Sequence, residues 1–169
     1  WAVNLSGTLH LARAILRHAP DARLLFASSA EAYGSSFRIH APVTEAAPLA
    51  PMNTYGATKA IGELLINDYT RKGFIDGRSA RLMTVTVRPG KPNGAASSFF
   101  SGIIREPLAG KPSVCPVAPE VTHPITSPRA TVDGLIAVFE ADRAAFGGRT
   151  AMNLPALNIS VAQMLDALE

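Results

Sequence analysis

Two short apolar runs, each preceded by a helical pattern, constrain the fold of this 169-residue sequence more than any other feature. The runs "ARLLFASSA" and "RLMTVTVRPG" have the length of buried strands, and the second ends in a Pro-Gly stop. Apolar residues recur at helical spacing over about residues 3–18 and 54–72. This order of helix, strand, helix, strand predicts a parallel sheet covered by helices, as in one half of a doubly wound α/β fold.

The sequence changes character near residue 93. Beyond this point, the helical patterns "SSFFSGIIREPLAG" and "RATVDGLIAVFEADRAA" flank proline-rich pieces of strand length over residues 111–129. A short strand, "TAMNLP", and a helix with Ser160 as its cap complete the chain. We therefore predict a boundary between two regions near residue 93.

Charge and composition exclude several classes of partner. The formal net charge is only +3 and the basic residues are scattered, so no nucleic-acid partner is expected. No apolar run has the length of a membrane-spanning helix, so no membrane partner is expected. The single cysteine, Cys115, excludes an internal disulfide and suits a reducing compartment such as the cytoplasm. The four histidines have no ligand spacing, so no metal site is predicted.

Tyr55 and Lys59 lie four positions apart where the second helix begins, with Asn53 or Thr54 as its cap. Residues at this spacing share one helix face. A free tyrosine has a pKa of about 10, and a nearby ammonium group stabilises the phenolate. Such a pair can accept a proton from an alcohol while a hydride leaves the same carbon. The alternative is an ordinary helix face, on which Lys59 and Glu63 form a surface ion pair.

Serine hydroxyls at the end of the first strand add to this candidate site. Ligands of open parallel sheets bind beyond the carboxyl ends of the strands, where Ser28 and Ser29 follow the first apolar run. Residues 88–93 follow the second run and form the other candidate location. A serine at the end of the first strand can hydrogen-bond both a phenol and a substrate alcohol.

The segments "LLFASSAEAYG", "NTYGATKAIGE" and "VTVRPG", in this order, resemble the extended short-chain dehydrogenase/reductase superfamily, the NAD-dependent epimerase/dehydratase family. "VNLSGTLHLARA" is similar to the family helix before the first strand. The resemblance implies a catalytic triad of Ser29, Tyr55 and Lys59, in which Tyr55 accepts the proton. Ser28 is then a structural residue.

The same resemblance implies a nicotinamide cofactor, NAD, with NADP left open. Tyr55 and Lys59 would bind its ribose, and Asn4 would help to shape the nicotinamide end of the site. Pro89 and Gly90 match the loop that covers the nicotinamide. Because the family often pairs through the helix that carries the tyrosine, a homodimer through the Tyr55 helix is expected.

Two features of the family pattern are missing, namely the glycine-rich phosphate loop and the acidic residue that binds the adenine ribose. Both belong to the first strands of the family fold, so we interpret the chain as an N-terminally truncated piece, inactive by itself. Residues 1–93 would then be a partial dinucleotide-binding (Rossmann) domain, and residues 94–169 a small mixed substrate-binding region.

The stretch "RPGKPNGAASSFFSGIIREPLAGKPSVCPV" and the later "SPRATVDGL" resemble the erythronate dehydrogenase branch, which oxidises small sugar acids. A small acid requires a cation, and Arg129 is the best candidate for binding its carboxylate. Lys91 and Arg105 are weaker candidates. Glu31 and Asn93 are further candidate substrate contacts. Glu31 occupies the position of a dehydratase acid, but without the preceding aspartate it is better interpreted as a loop carboxylate near the pocket.

These observations predict an NAD(P)-dependent oxidoreductase that acts on a secondary hydroxyl of a small sugar acid. One alternative is a nucleotide-sugar 4-epimerase or dehydratase, which uses the same oxidation without net redox change. Another is a non-catalytic binding or scaffold protein that keeps the fold, because a fold does not define a function.

Overall fold

A computed structural model describes residues 1–38, 42–91 and 94–168. Asn93, one of the predicted substrate contacts, lies outside the described residues.

The chain divides into two compact units. The first consists of Trp1–Leu82 and Gly134–Leu154, and the second of Met83–Asp133 and Pro155–Glu169. The predicted boundary near residue 93, between residues 1–93 and 94–169, stays a prediction.

The first unit contains a parallel sheet of three strands. In sheet order these are β1 (Arg23–Ser29), β2 (Asp76–Leu82) and β5 (Ala151–Asn153). In the register of β1 and β2, Ser29 is opposite Leu82, so the carboxyl ends of these strands lie side by side. The prediction of a parallel α/β sheet is confirmed.

Helices precede and follow β1 in the first unit. A π-helical turn (Ala2–Ser6) continues into α1 (Gly7–His18), and α2 (Thr54–Arg71) packs against β1, β2 and α1. The predicted cap of α2 is confirmed, because the Asn53 side chain accepts a hydrogen bond from the backbone of this helix.

The prediction of one strand over "RLMTVTVRPG" is wrong in its bounds. β2 begins five residues earlier, at Asp76, and β3 (Thr84–Val85) belongs to a different sheet. β2 begins with polar residues and glycine, residues 76–79, which lack the apolar pattern of a strand, and it contains two arginines, Arg78 and Arg81. Both are buried, which is tolerated because each guanidinium group has hydrogen-bond acceptors around it.

Arg78 joins the sheet of the first unit to the end of α4 (Pro128–Glu140). Its guanidinium donates hydrogen bonds to the last carbonyl groups of this helix and just beyond it, which belong to Val138, Phe139 and Ala141. Asp76 in turn forms ion pairs with Arg23, Arg78 and Arg143. Burial opposes ionisation of Asp76, but the hydrogen bond from Arg23 and the neighbouring positive charges outweigh it and lower the pKa of this carboxyl.

The second unit contains a mixed sheet. Its strands, in order, are β3, β4 (Thr122–Thr126) and β6 (Leu157–Ser160), with β3 and β4 parallel and β4 and β6 antiparallel. Its complete helices are α3 (Ser98–Leu108) and α5 (Val161–Asp166). The core consists of Phe100, Ile103, Val161 and Met164. The predicted cap at Ser160 is confirmed, since its hydroxyl accepts the backbone N–H of Gln163 in a capping box.

Candidate functional site

Ser29 is the last residue of β1, at the carboxyl edge of the parallel sheet. Its Oγ accepts the backbone N–H of Glu31 at 3.2 Å and so caps the short helical turn Ala30–Ala32. Because the hydroxyl oxygen acts as an acceptor in this bond, its hydrogen can be donated to another oxygen. Ser29 is therefore held in place with its donor function intact.

Asn53 connects the turn after β1 to the start of α2. Its Nδ2 donates to Glu31 Oε2 at 2.9 Å, while its Oδ1 accepts the backbone N–H of Gly56 at 2.7 Å. The exposed Glu31 carboxylate thus orients the residue that caps α2. A contact between Glu31 and a substrate stays a prediction.

Lys59 and Tyr55 are brought together at the beginning of α2. The Lys59 Nζ atom donates to the carbonyl oxygen of Ala27 at 2.8 Å and lies 5.5 Å from the centroid of the Tyr55 ring. Burial lowers the pKa of Lys59 from its usual value. The Tyr55 side chain is exposed, at 47%. The ammonium group is therefore anchored to β1 with an accessible phenol beside it.

Gly56 allows α2 to approach the turn after β1 closely. A Cβ atom at this position would meet the backbone carbonyl of Glu31 and, at 3.1 Å, the Pro51 side chain. We therefore expect Gly56→Ala in the full-length protein to lower the free energy of unfolding by about 1–3 kcal/mol, measured by urea denaturation. Gly7→Ala is the matched control. Its Cβ would be 3.8 Å from the nearest atom, in a helical backbone, so no loss of stability is expected. Equal losses in both variants would contradict this explanation.

Glu63 does not form the surface ion pair with Lys59 that the sequence left open. Its side chain is only 4% exposed and accepts bonds from Arg81, with Nη2 at 2.6 Å and Nε at 2.9 and 3.1 Å from its oxygens. Burial disfavours the charged guanidinium, but the bonds to Glu63 outweigh it and raise the pKa of Arg81. Sequence reasoning missed this pair; the available signal was an arginine between Ala80 and Leu82 in an apolar run.

Asn4 lies in the first helical turn, which packs against α2 in the same unit as Ser29 and Tyr55. Asn4 is exposed, and its backbone carbonyl oxygen accepts a hydrogen bond from the Thr8 hydroxyl at 2.7 Å. The structure thus places Asn4 in the unit that holds the predicted triad.

The other predicted contacts belong to the second unit. Pro89 and Gly90 are exposed, and Gly90 has a φ of 91°, a conformation that favours glycine. The Arg129 side chain is 93% exposed and its Nε lies 3.8 Å from the Asp133 carboxylate. Arg105, by contrast, is engaged by Glu106 and by a backbone carbonyl group. Of the two arginines, Arg129 is the more accessible to a ligand.

In the part of the chain that the structure describes, the helices are too short or too polar to cross a membrane. No group of three histidine, cysteine, aspartate or glutamate side chains converges as metal ligands among the same described residues.

Curated proteins of similar sequence match nearly the whole chain. The chain is 47% identical over 166 residues to a D-erythronate dehydrogenase of Cupriavidus necator, which covers 98% of this chain and 51% of that protein. It is 39% identical over 168 residues to a D-erythronate dehydrogenase of Haemophilus influenzae, covering 99% of this chain and 53% of that protein. The chain therefore spans about half the length of the curated relatives it matches.

A solved structure and a family match agree with these relatives. The crystal structure of the nucleoside-diphosphate-sugar epimerase from Agrobacterium tumefaciens is 40% identical with a TM-score of 0.88, over 98% of this chain and 49% of that one. Residues 1–141 match the family described as the NAD dependent epimerase/dehydratase family. The chain belongs to the NAD-dependent epimerase/dehydratase family, with the Rossmann-type fold that its sequence pattern implied.

Proposed function

We propose that the full-length protein is an NAD(P)-dependent oxidoreductase that oxidises a secondary hydroxyl group of a small, erythronate-like sugar acid. The observation that carries this proposal is the position of the Lys59 ammonium group. It is bound to the carbonyl of Ala27, close to the end of β1, and lies 5.5 Å from the Tyr55 ring. The two relatives named D-erythronate dehydrogenase support the substrate class.

In the proposed mechanism, the substrate hydroxyl group lies between Ser29 and Tyr55. The Ser29 hydroxyl donates a hydrogen bond to the substrate oxygen and orients it. The positive charge of Lys59 stabilises the phenolate of Tyr55, which accepts the O–H proton and becomes a neutral phenol. A bound nicotinamide would supply the acceptor for the hydride that leaves the carbinol carbon. The C–H and O–H bonds thus break together, and the alcohol becomes a carbonyl group.

The residues beside Tyr55 fit the ribose of a nicotinamide nucleotide. An ammonium group has three N–H donors, of which Lys59 uses one on the Ala27 carbonyl. The others, with the accessible phenol of Tyr55, form a donor set that suits two ribose hydroxyl groups. Asn4 and the exposed Pro89–Gly90 turn stay proposed cofactor contacts. NAD is the proposed cofactor, and a comparison of turnover with NAD and NADP tests that choice.

Arg129 is the proposed anchor for the substrate carboxylate, because its guanidinium is exposed and only loosely paired with Asp133. We expect Arg129→Met in the full-length enzyme to raise the KM for the sugar acid about 10- to 100-fold, with a smaller change in kcat. Steady-state kinetics measure both constants. Arg149→Met removes another exposed arginine and should leave them unchanged. An unchanged KM in Arg129→Met would remove Arg129 from the site.

The activity itself is tested by following NADH formation when the full-length protein is mixed with NAD and a panel of four-carbon sugar acids. NADH formation from one or more of these acids is expected. Interconversion of nucleotide sugars without net NADH would favour the 4-epimerase alternative. A lack of both reactions in a folded protein that binds no nicotinamide nucleotide would favour the scaffold alternative.

A homodimer through the Tyr55 helix also stays a proposal. Apolar side chains of this helix and of α1 are exposed: Leu11 at 51%, Ile61 at 39% and Leu64 at 61%. Burial of such side chains against a second copy would stabilise a pair.

A further inference from the structure

Ser28, Glu63 and Arg81 form a buried polar cluster, in which Ser28 is next to Ser29 in β1 and Glu63 is four residues after Lys59 in α2. The Ser28 hydroxyl donates to Glu63 Oε1 at 2.5 Å, and the Arg81 guanidinium donates three bonds to the same carboxylate. The Glu63 and Arg81 side chains are 4% and 6% exposed. The cluster thus joins β1, α2 and β2 through one carboxylate that has four hydrogen-bond contacts.

The cluster extends to the turn that follows Ser29. The remaining Arg81 nitrogen, Nη1, donates to the Tyr33 hydroxyl, and the guanidinium carbon lies 4.6 Å from the centroid of the Tyr33 ring. Tyr33 is buried and donates in turn to Asn153 Oδ1 on β5, at 2.9 Å. Every strand of the parallel sheet therefore contributes a side chain to one continuous network.

The position of the cluster relates it to the proposed chemistry. Ser28 is the neighbour of Ser29 in β1, and Glu63 follows Lys59 by about one helical turn. The residue before Ser28 is Ala27, and its carbonyl oxygen accepts the hydrogen bond from the Lys59 ammonium group. A small rotation or shift of α2 would therefore alter the contact between Lys59 and β1.

Stability alone is a weak reason for such a pair. Replacing a buried ion pair by apolar residues of similar size is often neutral or stabilising, since burial of the charges is costly. Fixed geometry is a stronger reason, because a planar guanidinium that donates through two nitrogens, Nε and Nη2, defines the distance and orientation of the carboxylate. Gly62, the residue before Glu63, lets α2 lie close to β1, because a Cβ atom at this position would be 2.5 Å from the Phe26 ring.

We propose that Ser28, Glu63 and Arg81 are positioning residues that fix α2 against β1, so that Tyr55 and Lys59 meet a substrate held by Ser29. The proposal rests on the proposed catalytic function of Ser29, Tyr55 and Lys59. Glu63 and Arg81 act through the helix and do not touch the substrate. A misplacement of about 1 Å in a catalytic group can reduce turnover about 100-fold, so this contribution is measurable.

The test uses a cluster variant of the full-length protein that combines Ser28→Ala, Glu63→Leu and Arg81→Met. We expect a folded protein in which kcat is about 10- to 100-fold lower, while the KM for the sugar acid, which Ser29 and Arg129 are proposed to bind, changes less than about 3-fold. In its crystal structure, the distance from Lys59 Nζ to the Ala27 carbonyl should exceed about 3.5 Å. If the cluster had only a structural role, the variant would have a changed thermal stability, but kcat and the distance from Lys59 to Ala27 would stay the same in the folded protein.

Asp68→Asn is the matched control, because it removes a carboxylate of the same helix whose ion pairs with Arg71 and Lys72 are on the surface. It should leave kcat and the Lys59 contact unchanged. If the cluster variant fails to fold, Glu63→Gln keeps the side-chain length and is expected to lower kcat about 10-fold.

An unchanged kcat and an unchanged Lys59 contact in a folded cluster variant, or in Glu63→Gln, would overturn the positioning role. If the full-length protein without substitutions oxidises no sugar acid, the proposed function fails. The distance from Lys59 Nζ to the Ala27 carbonyl in the cluster variant still decides the positioning role. The two failures are therefore distinguishable.

Discussion

Tyr55→Phe in the full-length protein is expected to reduce kcat about 100- to 10,000-fold, the range for loss of a positioned general base. The substitution keeps the ring beside the Lys59 ammonium and removes only the oxygen that accepts the proton. The KM for the sugar acid should change little, since Ser29 and Arg129 are the proposed substrate contacts. NADH formation, followed at saturating NAD, measures the effect.

Tyr69→Phe is the control for this prediction. Tyr69 belongs to the same helix and packs edge-on against Phe74 at 5.8 Å between ring centroids. Removal of its hydroxyl should leave kcat unchanged. A Tyr55→Phe enzyme with the parent's kcat would require another proton acceptor and would remove the central residue of the proposed mechanism.

Arg81→Met is expected to have the largest effect on stability, lowering the free energy of unfolding by about 3–5 kcal/mol. The substitution leaves the buried Glu63 carboxylate without its guanidinium partner and takes one contact from Tyr33. Urea denaturation of the full-length protein measures the loss. Arg71→Met breaks an exposed ion pair of α2 and should cause no measurable change.

The cluster variant defined above tests whether this loss of stability comes from the unpaired Glu63 carboxylate. Because it removes the carboxylate together with the guanidinium, it should recover stability to within about 1–2 kcal/mol of the parent protein. If Arg81→Met alone were as stable as the parent, burial of an unpaired carboxylate would not be costly at this position. The description of the pair as a buried, desolvated contact would then be wrong.

Local patterns made much of the first unit predictable. The helical spacing and the Asn53 cap predicted α2, and the apolar run that ends in Ser29 predicted β1. A spacing of four residues placed Tyr55 and Lys59 on one face, and the structure brings them together. These features depend on residues that are close in sequence, so their geometry follows from the period of the helix or strand.

Contacts between distant residues were not predictable in the same way. Glu63 is 18 positions from Arg81, and Tyr33 is 48 positions from it, so neither partner is visible from periodicity. For the same reason the start of β2 was not predicted, although its arginines are buried. A charge in a strand is compatible with burial only through its partners, and the fold alone supplies those.

The most direct measurement follows a deuterium label from the carbinol carbon of a four-carbon sugar acid during a reaction of the full-length protein with NAD. The account predicts one deuterium in the reduced nicotinamide for each carbonyl product formed, and loss of this transfer in Tyr55→Phe. A sugar acid that keeps its label while nucleotide sugars are interconverted, with no net reduction of NAD, would contradict the account.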